Sequence, residues 1–114
     1  MKGNQWFEAR IRWAVMVEGK QGLRRWEESV CFILSEDARS AFRQALDFGR
    51  SEEREFRERG KWVEKRLAQI VELYEVGPDD TVLAVYMGSK KPKERLPFDH
   101  TFEPERSTPV TNFG

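Results

Sequence analysis

Every second residue from Phe7 to Val17 is apolar: Phe7, Ala9, Ile11, Trp13, Val15 and Val17 alternate with a set that includes Glu8, Arg10 and Arg12. Successive side chains of a strand point to opposite faces, so this pattern predicts a strand with one buried side. The turn-forming segment "GKQG" follows, and after it "LRRWEESVCFIL" carries Trp26, Val30, Phe32 and Leu34 at even positions. Two such runs around a four-residue loop predict a β-hairpin. Closing it at Glu18 and Leu23 pairs Val15 with Trp26, Ile11 with Val30, Ala9 with Phe32 and Phe7 with Leu34. In that register the two apolar stripes share the buried face, although Trp13 meets Glu28 and Val17 meets Arg24. A slip of one residue would turn the whole second stripe outward.

Ser35 can cap a helix, with Glu36 and Asp37 in its first turn, where exposed amide groups and the helix dipole favour negative charge. Ala38, Ala41, Phe42, Ala45 and Gly49 then share one helical face. The alanines let this core helix lie close on the sheet, and Gly49 is expected to end it. Ser51, followed by Glu52 and Glu53, offers a second cap, so Ser51 to Arg59 is expected as a short second helix. Within it Glu53 and Arg57, Arg54 and Glu58, and Glu55 and Arg59 stand four apart, a spacing at which opposite charges stabilise a helix by about 0.2–0.5 kcal/mol per pair. These charges satisfy one another on a solvated face, leaving only Arg50 and Lys61 at its ends for an anion.

The segment "WVEKRLAQIVELYEV" fits two patterns. Val63, Leu67, Ile70, Val71 and Tyr74 fit a helical face, and Leu67, Val71 and Leu73 fit a strand face. The turn signal "GPDD" and the β-branched, aromatic run "TVLAVYM" come next, and we read a second hairpin, Val63 to Val76 with Thr81 to Met87. The reading is thus an α+β fold of two layers, in which β-hairpin, helix and second β-hairpin make an antiparallel sheet with one main helix on one face. It occupies residues 1–88 as a single domain. Residues 89–114 hold four of the five prolines and no periodic apolar pattern, and form a Pro-rich tail or wrapping arm. Leu96, Phe98 and Phe102 could dock on the domain or on a neighbour.

The succession "WFEARI", "EESVCFILSEDARSAFRQALDFGRSEE" and "GKWVEKRLAQIVELYEV" resembles a bacterial family of small uncharacterised proteins, the domain-of-unknown-function family numbered 4288, over roughly Trp6 to Val76. The likeness rests on framework features: the aromatic start of the first strand, a second strand running into an Ala-rich helix that closes at Gly49, and a strand preceded by Gly60. It implies a strand, strand, helix, strand order, favours the strand reading of Val63 to Val76, and brings no catalytic or binding residues with it.

Composition limits the function further. Lys plus Arg and Asp plus Glu both total 20, so no global field draws the protein to nucleic acid or an anionic membrane. Cys31 is the only cysteine, which excludes an internal disulfide and a zinc site built on cysteine pairs. Glu8 and Arg10 interrupt the place where a signal peptide needs its apolar stretch, and no later run suits a membrane span, so a cytoplasmic location is expected.

Chemistry finds few residues to work with. His100, the sole histidine, lies in the tail beyond any ordering scaffold. Cys31 is expected on the outward face opposite Arg10, which could lower its pKa, but no framework histidine stands by as a base. The acidic pairs Glu27 with Glu28 and Asp79 with Asp80 are sequence neighbours, no calcium-loop or phosphate-cradling spacing appears, and neither a cofactor nor a metal is expected.

What remains is the outer face of the first hairpin, where Trp6, Ala14, Met16, Cys31 and Ile33 interrupt the expected polar set. Either the tail or the charged helix covers this patch, or it is an interface. The reading is a non-catalytic binding or accessory domain working by protein–protein contact, with a homo-oligomer or a protein partner on Trp6, Arg10, Arg12, Met16 and Ile33. The alternative is a small nucleic-acid binder using Arg10, Arg12 and Arg25 beside Trp6, with the run Lys90, Lys91, Lys93 and Arg95 as a phosphate arm.

Overall fold

The computed structural model describes residues 3–19, 22–79, 81–88 and 96–106. Strand β1 (Gln5–Val17) pairs antiparallel with β2 (Gly22–Ser35) on one side and with β4 (Lys61–Val76) on the other. The far edge of β4 is shared by β3 (Arg54–Glu58) along its first residues and β5 (Val82–Met87) along its last. Helix α1 (Ala38–Ser51) packs on one face of this antiparallel sheet, giving the expected α+β architecture. Among the described residues no helix is long and apolar enough to cross a membrane.

Phe7, Ala9, Ile11 and Trp13 of β1 point beneath α1, whose Ala41, Phe42, Ala45 and Gly49 are buried against the sheet. Phe42 meets Tyr86 edge to face at 5.1 Å. Gly49 does not end the helix, because its absent side chain serves packing: a Cβ there would come within 2.6 Å of Leu67 Cδ1. The same residue's carbonyl accepts a 2.8 Å hydrogen bond from the Trp13 indole N–H. The cap is Asp37 rather than Ser35, and its carboxylate accepts from the Ser40 amide at 2.7 Å.

The register of the first hairpin differs from the expected one twice: Leu23 lies opposite Met16 rather than Glu18, a shift of two that keeps the faces, and a β-bulge of one residue follows. Val17 pairs with Gly22 and Met16 with Leu23, but Val15 pairs with Arg25, leaving Arg24 as the extra residue. From there outward Ile11 faces Ser29, Ala9 faces Cys31 and Phe7 faces Ile33. A bulge of one residue exchanges the faces of everything beyond it. Ile33 and Cys31 therefore pack with the core, whereas Val30, Phe32 and Leu34 stand exposed on the outer face.

Two bulges in β4, where Val71 and Ala68 have no partner on β1, explain its double pattern. They place Leu67, Ile70 and Leu73 inward three residues apart, so a strand shows near-helical spacing. The expected helix from Ser51 to Arg59 is instead the end of α1 and strand β3. Arg59 and Gly60, with φ of 53° and 78°, form the tight left-handed turn that folds β3 back on β4. Ladder bonds along β4 outweigh charge pairs worth tenths of a kcal/mol each. Glu58 pairs instead with Arg24 of β2 at 2.9 Å, joining the two edges of the curled sheet.

Candidate functional site

The outer sheet face divides into a covered and an uncovered part. Ala14 and Met16 of β1 and Ala68 of β4 are buried beneath Leu96, with Phe98 and Phe102 packed beside it and Leu23 and Trp26 alongside. Arg66 secures this arm: its guanidinium donates to the Phe98 carbonyl and, at 3.3 Å, to that of His100, and it lies 4.9 Å over the Phe98 ring. Farther on, Pro104–Arg106 forms a 3-10 helix against β4, and Glu105 accepts from Arg50 near the end of α1 at 2.6 Å. That hydrogen bond holds the Glu105 carboxyl below its ordinary range and raises Arg50. Residues 96–106 thus cross the outer face and reach the end of the helix.

Beyond the arm the outer face carries four cross-strand ranks, of which the one next to the arm is itself buried at Arg12 and Gln69 and the other three are uncovered. Cross-strand pairing sets Leu34, Trp6, Val76 and Val82 in the first rank and Phe32, Glu8, Tyr74 and Ala84 in the second. Val30, Arg10, Glu72 and Met87 form the third, and Glu28, Arg12 and Gln69 the fourth. Trp6, Phe32, Leu34, Val30, Val82 and Met87 are between 39% and 66% exposed, an apolar area of the kind that marks contact surfaces.

Its charges are largely matched from within. Arg10 bonds Glu72 at 2.9 Å, Arg12 bonds Glu28 at 2.8 Å and Gln69 at 2.9 Å, and the Tyr74 hydroxyl donates to Glu72 at 2.8 Å, which raises the Tyr74 pKa. Glu8 has no ion-pair partner among the described residues.

Of the residues expected to form this surface, Trp6 and Arg10 lie on the uncovered part. Arg12 is on the same face but buried in its ionic group, Met16 is sealed under the arm, and Ile33 belongs to the core. The bulge at Arg24 moves the signal: a register without it places Val30, Phe32 and Leu34 in the core, and with it they lie exposed on the outer face. Arg25, opposite Val15, lies on the face away from Arg10 and Arg12, at 4.0 Å from Glu27. Lys90, Lys91, Lys93 and Arg95 lie outside the described residues.

Cys31 faces inward beside Ala9, not outward beside Arg10, and burial raises its pKa, which keeps the sulfur a thiol. The His100 ring packs edge to face on Phe102 at 4.7 Å. Among the described residues no group of three or more His, Cys, Asp or Glu side chains gathers as a metal site. No protein-family model, curated protein or solved structure matches the chain.

Proposed function

We propose that this protein is a non-catalytic binding domain that acts by protein–protein contact through the uncovered part of its outer sheet face. The observation that carries the reading is the division of that face. One part is closed by the chain's own arm, while Leu34, Trp6 and Phe32 beside it remain in water. Large aromatic and aliphatic side chains around an internally neutralised ionic group suit a partner surface that is itself largely apolar. A cytoplasmic location belongs to the same proposal, supported by the lone cysteine. The resemblance to family 4288 belongs to it as a statement about framework and supplies no activity.

The nucleic-acid alternative has no observation in its favour, since Arg10 and Arg12 are bound to carboxylates and phosphate recognition needs available cations. The test replaces Trp6 and Phe32 together by serine and compares native mass and co-purifying proteins with those of the parent. The reading predicts a change in one or the other. If neither changes while circular dichroism reports an intact fold, it is wrong.

A further inference from the structure

We propose that the partner on this face presents a basic side chain, a lysine or arginine set among apolar residues, whose cationic group docks on Glu8 amid Trp6, Phe32 and Tyr74. The proposal rests on the contact reading above and names the chemistry of the occupant. Its starting point is the charge on the face. Across the four ranks Glu8, Glu28 and Glu72 stand against Arg10 and Arg12, so one carboxylate is left over. Arg10 is bonded to Glu72 and Arg12 to Glu28, and the carboxylate with no ion-pair partner among the described residues is Glu8.

The sheet surrounds that carboxylate with aromatic side chains. Glu8 is paired with Phe32 of β2 on one side and with Tyr74 of β4 on the other. Residues directly opposite have Cβ atoms roughly 4.5–5.5 Å apart, and Trp6, two positions back along β1 on the same face, is roughly 7 Å away. The hydrogen bond to Glu72 is the chief cause of the raised Tyr74 pKa, and the Glu8 charge adds to it, so the Glu8 carboxylate and the Tyr74 hydroxyl are within electrostatic reach of each other. Trp6 and Phe32 are more than half exposed, and neither makes a ring contact or a cation contact among the described residues. At the end of the sheet both line a pocket of about 600 Å³ that has Glu75 in its wall and no lysine or arginine among its described residues.

Two separate effects favour a cation here. The negative face of an aromatic ring attracts a cation within about 6 Å of its centre. In addition, a purely apolar partner would strip water from an unpaired carboxylate, a cost that a counter-charge offsets. Arg10 in the next rank is already engaged, with Nε on Glu72 at 2.9 Å and Nη1 3.8 Å from Glu28. A free cation would leave Leu34, Val82, Val30 and Met87 around the site in water, whereas a basic side chain carried on an apolar segment covers them.

NMR titration of the full chain, followed at the Trp6 indole N–H, tests the proposal. The probe is an acetylated, amidated pentapeptide with lysine between two glycines and leucine at each end, and it is expected to bind with Kd of about 1 mM or below. The same peptide with norleucine in place of lysine, and n-butylammonium chloride alone, should each bind at least about tenfold more weakly. Glu8→Gln, which keeps the shape of an uncovered side chain, should weaken the lysine peptide about tenfold or more, and Phe32→Leu about threefold or more. Glu55→Gln, on β3 at the far end of the sheet, removes the same charge and should change nothing. A norleucine peptide that binds as well as the lysine one overturns the proposal, as does an equal loss in Glu55→Gln, which is bulk charge. Butylammonium binding as tightly as the peptide overturns the partner side chain as the source of the cation. If no probe binds and the Trp6 and Phe32 double serine variant still loses a co-purifying protein, the cationic occupant is overturned and the contact reading stands.

Discussion

The Leu96 carbonyl accepts a 2.9 Å hydrogen bond from the Leu23 amide, and the adjoining Gly22 lies so close beneath it that any side chain there would strike the Leu96 carbonyl oxygen. This contact moors the arm to the start of β2. It also brings together two segments whose relation is invisible in the order of residues.

Replacing Gly22 by alanine should therefore release the arm. Gly22 has φ of 55°, a left-handed conformation that costs a non-glycine residue about 1 kcal/mol, and the obstacle is backbone that cannot rotate aside. We expect a loss of about 1–3 kcal/mol in denaturant titration. Proteolysis within residues 96–106 should accelerate, and Trp26 emission should shift to the red as Phe102 leaves it. Unchanged proteolysis would show that the arm docks without this contact.

The far end of the arm should respond to acid. The hydrogen bond from Arg50 depresses the Glu105 pKa, so its contribution to docking is fully present above the ordinary glutamate value near pH 4.3. It fades as pH falls through the lower folded value. Protection of the arm from an acid-active protease should decline over that interval in the parent, and Glu105→Gln should flatten the decline.

Trp13 couples sheet and helix through one bond. In Trp13→Phe the Gly49 carbonyl loses its indole donor at a buried site, a loss of about 1–3 kcal/mol before any cavity is counted. For a domain of this size that lowers Tm by roughly 4–8 °C per kcal/mol. A shift below about 2 °C would mean that water or a rearranged helix end takes over the bond.

Arg12 holds Glu28 and Gln69 from a buried position. Arg12→Met should cost about 2–3 kcal/mol, because hydrogen bonds to a charged group are lost and Glu28 is left with Arg10 at 3.8 Å. Arg12→Lys should recover only part, since an ammonium lacks the fork that reaches both partners. Denaturation midpoints of the two variants decide the point: equal stability would reduce Arg12 to a point charge.

Part of the fold is legible because it is local. The alternation in β1 identifies its buried side without reference to any other element, and Phe7, Ile11 and Trp13 do lie beneath the helix. The Ala-rich face of α1 is equally explicit. On the outer face the sequence identifies Trp6 but not its neighbours, since Val30 and Phe32 look like core to any register that leaves out the bulge. The charged segment after α1 carries good helical spacing, and no local signal says that β4 will offer it an edge.

What the amino-acid order determined alone is a hairpin followed by helix α1 and the inward side of β1 and α1, because each follows from periodicity within one element; strand β3 after the helix was not among them. The inward side of β2 was decided only in three dimensions. Its run Val30, Cys31, Phe32, Ile33 and Leu34 is apolar on both faces, so it has no preference of its own, and the bulge at Arg24 chooses between them. The arm's position over Met16, and with it the boundary of the exposed face, likewise depends on contacts between residues some eighty positions apart, such as Met16 and Leu96, which no local pattern encodes.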